Sequence, residues 1–261
     1  AEATPVYIRG EEQNGFKITP DQLEQAITSK TKILILNSPS NPTGAVYSKE
    51  ELIAIGSICE KYQLWIISDE IYEKLIYDNI EHVSIASLSK ALYNKTFVIN
   101  GMSKPYSMTG WRIGYAAGNE EVISAMTDLS SHSTSNPTSI AQYAALEALE
   151  GTQQPLHSMK EAFKIRRNLI VSLLDEIPGI NCFVPEGAFY VFINMNNVIV
   201  ASSFSDVDQW AKQLLETGHV AVIPGSGFGA PEFIRLSYTV SADEIEIGIK
   251  NIRKFIENNT K

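Results

Sequence analysis

The residues with the clearest chemical potential lie in the run NGMSKPYSMTGWRIGY, from Asn100 to Tyr115. Within it, Lys104 follows a predicted strand in a loop of small residues, and Arg112 stands eight positions further on. A lysine amine can hold an aldehyde as a Schiff base, and an arginine guanidinium can bind a phosphate through paired hydrogen bonds. The pair therefore predicts a site for an aldehyde cofactor that carries a phosphate.

Two further polar residues stand just after predicted strands. Asn41 follows the apolar run Lys32–Leu36, and Asp69 follows the run Leu64–Ser68. Lys104 follows a third such run. The carboxyl ends of parallel strands meet along one edge of an open α/β sheet, and ligands bind at that edge. We therefore expect these three residues to converge.

The elements that must position these residues alternate in the first part of the chain. A capping box at Thr19 and Gln22 predicts a helix through about Thr28, and Ser48 with Glu51 predicts a second helix. Each helix lies next to a predicted strand, so the order is strand, helix, strand. Such βαβ units pair their strands in parallel, and we expect a mostly parallel sheet flanked by helices.

The later part of the chain has a different pattern. Residues 119–175 read as helical, with an interruption rich in Ser and Thr at 130–139, and shorter strands and helices follow. We predict two domains, 1–152 and 153–261, the second a smaller α+β domain. Its predicted strands are Cys182–Val184, Phe189–Asn194, Val220–Ile223 and Phe233–Tyr238, with helices at about 206–217 and 242–257.

Composition and charge exclude several classes of function. The formal charge of -9 argues against a nucleic-acid-binding surface, and no run of apolar residues is long enough to span a membrane. Cys59, Cys182 and the four histidines have no metal-ligand spacing, so we expect no metal. Unpaired cysteines without a recognisable leader lead us to expect a cytoplasmic protein.

Five segments of the chain form an ordered set of motifs. They are NPTG at 41–44, SDEIYE at 68–73, SKPYSMTGWRIGY at 103–115, SSHSTSNPTSIAQ at 130–142 and FIRLSY at 233–238. With these segments in this order, the chain resembles the class I, fold type I pyridoxal-phosphate aminotransferases, and above all their aspartate aminotransferase-like branch. The resemblance implies a large cofactor-binding domain, incomplete here because the chain matches only its C-terminal part, and a small C-terminal domain.

The resemblance implies roles around the cofactor ring. Lys104 would hold the aldehyde of pyridoxal phosphate as a Schiff base and then move a proton as general base and acid. Asp69 would keep the pyridine nitrogen protonated, so that the ring stays an electron sink. Tyr72 and Asn41 would form hydrogen bonds to the phenolate oxygen of the ring.

The resemblance also implies the groups that bind charge. Arg112 and Ser103 would hold the cofactor phosphate. Arg235 would bind the carboxylate of the substrate with its planar fork, and Asn41 would contribute to the same substrate-binding set.

A homodimer is implied as well. Ser135 and Asn136 resemble residues that reach the site of a neighbouring subunit. Members of the family carry a further N-terminal portion that this sequence lacks. Without it, we expect the sheet to have an uncovered edge and its helices to have an uncovered apolar face.

The predicted reaction is transfer of an amino group between an L-amino acid, of the aspartate type, and a 2-oxo acid such as 2-oxoglutarate. Two alternatives stay open. One is a pyridoxal-phosphate β-lyase or decarboxylase on the same fold, since Lys104, Asp69 and Arg112 serve any of these reactions. The other is that this chain is a non-catalytic fragment.

Overall fold

A computed structural model describes residues 2–260 of the chain. It divides into two compact units. Unit 1 comprises residues 2–39 and 45–157, and unit 2 comprises residues 40–44 and 158–260. The short segment 40–44 thus groups with residues far along the chain. The domain boundary expected between residues 152 and 153 stays a prediction.

Unit 1 is built on a mixed sheet whose strands follow the chain order β1-β2-β3-β4. The first three strands are parallel, as the βαβ pattern predicts, and β4 pairs with β3 in the antiparallel direction. The mostly parallel sheet of an α/β fold is therefore confirmed. The strands are β1 at Ile33–Asn37, β2 at Trp65–Asp69, β3 at Thr96–Gly101 and β4 at Gly114–Ala117.

The helices of unit 1 begin where the sequence places their caps. The side chains of Thr19 and Ser48 each accept a hydrogen bond from the third residue of the following helix and complete the expected capping boxes. One short helix, α3, was not predicted, because six residues are too few to show a periodic pattern. The helices are α1 at Pro20–Ala26, α2 at Lys49–Lys61, α3 at Lys90–Lys95, α4 at Glu120–Ser131 and α5 at Ser139–Glu150.

At strand β1, one side of the sheet in unit 1 is covered and the other is exposed. Leu34 and Leu36 of β1 are buried against α2, whereas Ile35 between them is 71% exposed. Helices α4 and α5 also expose apolar side chains, including Leu129 at 71% and Tyr143 at 73%. The uncovered apolar face expected from the sequence is therefore present.

Unit 2 carries an antiparallel sheet in the order β5-β6-β8-β7. Its two edge strands are only two residues long, shorter than the sequence predicts, because an edge strand is paired on one side only. The strands are β5 at Asn181–Cys182, β6 at Tyr190–Asn194, β7 at Ile223–Pro224 and β8 at Phe233–Ser237.

Four helices accompany this sheet in the chain, and the first, α6, begins in the residues of unit 1. The predicted helix at 206–217 divides into α8 and a π-helical turn at Leu214–Gly218. Ser241 and Glu244 form the capping box of α9. None of the helices in the described chain is both long and apolar enough to cross a membrane. The helices are α6 at Gln154–Asp175, α7 at Asn196–Val200, α8 at Val207–Gln213 and α9 at Ala242–Asn259.

Candidate active site

The parallel strands of unit 1 bring their carboxyl ends to one edge of the sheet. Asn37, the last residue of β1, lies opposite Asp69, the last residue of β2, and Asp69 lies opposite Ile99 of β3. Lys104 follows three residues after the end of β3. Two of the three strand-end residues singled out from the sequence, Asp69 and Lys104, are therefore placed at the same edge.

Asp69 is held on both its side chain and its main chain. Its Oδ1 accepts a hydrogen bond from the amide of Ile71 at 3.2 Å. Its carbonyl oxygen accepts from Nδ2 of Asn37 at 3.1 Å and from the amide of Ser38 at 3.2 Å. These bonds to the neighbouring strand fix the end of β2 and give the Asp69 carboxylate a defined direction.

Lys104 lies in a turn that closes directly after β3. The amide of Tyr106 donates to the carbonyl of Met102 at 3.2 Å, and Met102 is buried in a small apolar cluster. The Nζ of Lys104 lies 5.8 Å from the centre of the Tyr72 ring. Since Tyr72 is only 3% exposed, its ring is a fixed wall beside the lysine amine.

Two glycines allow β3 and β4 to approach next to this turn. Gly101 lies opposite Gly114, and a Cβ on Gly101 would lie 2.9 Å from the Cα of Gly114. The amide of Met102 also donates to the carbonyl of Ile113 at 3.4 Å. The segment that carries Lys104 therefore begins where the segment that carries Arg112 ends.

Arg112 has a left-handed backbone, with φ of 52°. It follows a 3-10 turn at Thr109–Trp111, and its Nη1 donates to the carbonyl of Thr109 at 3.0 Å. The side chain is exposed, while Ser103 is half-buried. A guanidinium tethered by one local bond keeps other N–H donors for an anion.

The groups gathered at this edge fit pyridoxal phosphate by their chemistry. The cofactor needs an amine for its aldehyde, a carboxylate for its pyridine nitrogen, and hydrogen-bond donors for its phenolate and phosphate oxygens. Lys104, Asp69, Tyr72 and Arg112 supply one of each, and Ser103 adds a hydroxyl.

The other two predicted site residues meet within unit 2. Nη1 of Arg235, on β8, donates to Oδ1 of Asn41 at 2.8 Å. The guanidinium carbon of Arg235 also lies 4.4 Å from the ring centre of Tyr190 and 5.0 Å from that of Phe228. One hydrogen bond and two aromatic rings thus set the plane of this guanidinium.

The segment that carries Asn41 is tied down by Gly44. The amides of Glu186 and Gly187 donate to the Gly44 carbonyl at 3.0 and 2.8 Å. Gly44 has φ of +73°, and a Cβ there would lie 2.4 Å from the Cβ of Pro185. Only glycine fits this position, which explains the last residue of the NPTG motif.

Ser135 and Asn136 lie between α4 and α5 and are exposed. The amide of Ser135 donates to the carbonyl of Ser130 at 2.8 Å, and the Asn136 side chain donates to the carbonyl of Pro137. Their predicted reach into a neighbouring subunit stays a prediction.

The sequence did not reveal a buried hydrogen-bonded network beside Asp69. Glu70 follows Asp69 directly, its amide donates to the carbonyl of Ile99 at 2.9 Å, and its carboxylate is bound by His82 and Ser84. In the sequence, the network is indicated only by Glu70 itself, an acidic residue that directly follows a buried strand. Two of its partners, His82 and Ser84, come from a loop without a recognisable motif.

The amino-acid sequence is similar to those of known aminotransferases. The chain is 56% identical over 256 residues to an aspartate aminotransferase of Bacillus subtilis, an alignment that covers 98% of this chain and 65% of that protein. It is 47% identical to an asparagine–oxo-acid transaminase of Streptococcus mutans, with 98% and 65% covered. The chain thus spans about 65% of the length of these relatives.

Solved structures agree with the fold. The crystal structure of the aspartate aminotransferase from Rhizobium meliloti matches with a TM-score of 0.91 and 40% identity, covering 96% of this chain and 64% of that one. An aromatic aminotransferase from Pyrococcus horikoshii matches with a TM-score of 0.92 and 33% identity, covering 97% and 67%. The family profile of aminotransferase class I and II matches residues 1–252. This chain therefore belongs to the aminotransferase class I and II family.

Proposed function

We propose that this protein is a pyridoxal-phosphate-dependent aminotransferase that moves an amino group between an aspartate-type L-amino acid and a 2-oxo acid such as 2-oxoglutarate. The observation that carries the proposal is the position of Lys104, at the sheet edge where Asp69 ends β2 and 5.8 Å from the Tyr72 ring. Family membership supports the reaction class, and it does not by itself identify the substrate.

Residues of unit 1 would hold the aldehyde, the ring nitrogen and the phosphate of the cofactor. Lys104 would bind its aldehyde, Asp69 its pyridine nitrogen, and Arg112 with Ser103 its phosphate. When bound, pyridoxal phosphate supplies an electron sink for the electrons released at the α-carbon of the substrate. Asp69 would keep the ring nitrogen protonated, which makes that sink effective.

Lys104 would also move the proton. Once the amino group of the substrate has replaced Lys104 on the aldehyde, the free Nζ would take the proton from the α-carbon of the substrate as a base and deliver it to the aldehyde carbon, C4′, as an acid. Tyr72 would hydrogen-bond the phenolate oxygen of the cofactor, as would Asn41. Because the Tyr72 ring is buried beside Nζ of Lys104, it would also limit the positions that the amine can adopt.

Arg235 would bind the α-carboxylate of the substrate. A guanidinium can present two parallel N–H donors to a carboxylate, and this paired geometry fixes orientation as well as charge. The hydrogen bond to Asn41 at 2.8 Å would leave the remaining edge of the fork for the substrate.

Substrate, assembly and location are proposed from the relatives. Three of the curated relatives carry aspartate, asparagine or prephenate in their names, which favours an acidic or amide substrate over the aromatic one named in the Pyrococcus horikoshii structure. We also propose a homodimer, with Ser135 and Asn136 near its interface. Placement in the cytoplasm stays a prediction from the sequence.

The experiment is a product assay with L-aspartate, 2-oxoglutarate and added pyridoxal phosphate. Transamination forms oxaloacetate and glutamate in equal amounts. We expect Lys104→Ala to abolish both products, because the amine that moves the proton is gone, and Lys90→Ala to leave them unchanged, because Lys90 is an exposed residue that begins α3.

The same assay separates the alternatives. A decarboxylase would release carbon dioxide without consuming 2-oxoglutarate, and a β-lyase would release ammonia once aspartate is replaced in the assay by an amino acid with a leaving group at its β-carbon. A non-catalytic fragment would form no product at all. Any of these results would contradict the proposed transamination by this chain.

A further inference from the structure

Glu70 is a buried carboxylate directly next to Asp69. It is 3% exposed. Its Oε1 accepts hydrogen bonds from Oγ of Ser68 at 2.9 Å and from Oγ of Ser84 at 2.7 Å, and its Oε2 lies 2.9 Å from Nε2 of His82. A carboxylate is costly to bury unless it is paired and hydrogen-bonded, and these three donors meet that requirement.

The network keeps Glu70 ionised. Burial acts to raise the pKa of Glu70, but hydrogen bonds from His82, Ser84 and Ser68, with attraction to the His82 ring, outweigh burial and lower it. The carboxylate is therefore a permanent acceptor for all three side chains at neutral pH. Such charge-assisted hydrogen bonds are stronger than neutral ones.

The main chain of Glu70 connects this network to two proposed site residues. Its carbonyl accepts a hydrogen bond from the amide of Glu73 at 2.8 Å, which closes a turn that contains Tyr72. On the other side stands Asp69, whose Oδ1 is bound by the amide of Ile71 in the same turn. Fixing the side chain of Glu70 therefore fixes the backbone that orients both Asp69 and Tyr72.

A metal ion is a poorer explanation of the cluster. One ligand atom from each of Glu70, Glu73 and His82 lies within 4.8 Å of the others. However, both carboxylate oxygens of Glu70 already accept hydrogen bonds, and Glu73 lies 3.7 Å from Nζ of Lys74. The contacts are those of a buried carboxylate held in place by hydrogen bonds from neighbouring side chains.

We propose that Glu70, held by Ser68, Ser84 and His82, is a positioning residue that orients Asp69 and Tyr72 toward the cofactor. The proposal rests on the proposed function, since it takes Asp69 and Tyr72 as cofactor-binding residues. It adds a loop outside the recognised motif, the one that carries His82 and Ser84, to the machinery of the site.

The test compares Ser84→Ala with Ser87→Ala. Ser84→Ala removes one donor and leaves Glu70 the other two, so the chain still folds, whereas Glu70→Ala would leave several donors buried and unpaired. Ser87 is the matched control, because its Oγ donates to the Ser84 carbonyl at 2.7 Å and not to the Glu70 carboxylate. Ser84→Thr, which keeps the hydroxyl, serves as the rescue.

Two readouts are measured for each variant. The first is hydrogen exchange at the amides of Ile71 and Glu73 without cofactor. The second is the affinity for pyridoxal phosphate and the absorbance spectrum of the bound cofactor. In Ser84→Ala we expect about tenfold faster exchange and about tenfold weaker binding with an altered spectrum, the size of effect that follows loss of one hydrogen bond to a charged group. Ser84→Thr should restore both, and Ser87→Ala should change neither.

Two results would overturn the positioning role. One is unchanged exchange at Ile71 and Glu73 in Ser84→Ala. The other is faster exchange with wild-type affinity and spectrum, which would make the network structural only. If the wild-type chain binds no pyridoxal phosphate, it is the proposed function that fails. Hydrogen exchange at Ile71 and Glu73 then still tests whether the Glu70 network orders the turn. Equal exchange in Ser84→Ala and Ser87→Ala would contradict that ordering role.

Discussion

At the scale of single residues, Arg235 shows how neighbouring side chains can orient a positive charge toward a carboxylate. A lysine could supply the same charge to a carboxylate, but it lacks a planar fork and stacks less well on aromatic rings. Tyr190 and Phe228 lie 4.4 and 5.0 Å from the guanidinium carbon, and Asn41 accepts from its Nη1. These contacts orient the plane of the guanidinium. A carboxylate can accept two parallel hydrogen bonds from the guanidinium only when that plane is correctly oriented.

We therefore expect Arg235→Lys to impair use of every amino-acid substrate. Losing a paired, charge-assisted contact costs about 1.5–3 kcal/mol, or about ten- to a hundredfold in kcat/KM. Steady-state kinetics with aspartate and 2-oxoglutarate measure the change. The control is Arg166→Lys, because the guanidinium of Arg166 also lies over a ring, that of Phe163 at 5.8 Å. Equal losses in both variants would contradict a substrate-binding role for Arg235.

At the scale of elements, the NPTG segment shows why a short motif needs distant residues. Gly44 adopts φ of +73°, and its carbonyl accepts hydrogen bonds from the amides of Glu186 and Gly187. These bonds hold the segment that carries Asn41 within unit 2. The capping boxes, by contrast, act within four residues of sequence, and Ser241 with Glu244 is one example.

Gly44→Ala should lower the urea midpoint of unfolding. The substitution forces a Cβ to within 2.4 Å of the Pro185 Cβ at a positive φ, and such strain costs on the order of 1–3 kcal/mol. Gly248→Ala is a control of opposite sign, because Gly248 lies inside α9 with no atom within 4 Å of an added Cβ. Alanine there should stabilise the helix by up to about 1 kcal/mol. A Gly44→Ala chain as stable as wild type would contradict the tight fit described for this segment.

At the scale of the whole molecule, the features that depend on local sequence patterns could be predicted from the sequence. The apolar runs at 32–36 and 64–68 became neighbouring parallel strands, and Asp69 and Lys104 reached the same sheet edge. What it did not predict depends on long-range contacts. Glu70 is anchored by side chains 12 and 14 positions away, and no periodicity marks such partners.

The grouping of residues 40–44 with unit 2 has the same cause. The bonds that hold it come from residues more than 140 positions further along the chain. The exposed apolar side chains of β1, α4 and α5 agree with the uncovered apolar face that we expected from the resemblance. The chain nevertheless contains every residue that we assign to cofactor attachment.

The most direct test of the account is to identify which lysine holds pyridoxal phosphate. The wild-type chain is incubated with the cofactor, treated with borohydride to make the attachment permanent, digested and analysed by mass spectrometry. We predict that the cofactor mass is found on the peptide containing Lys104, and that Lys104→Ala loses it while Lys90→Ala keeps it. Cofactor spread over exposed lysines such as Lys90, or the same labelling in Lys104→Ala, would contradict the central claim.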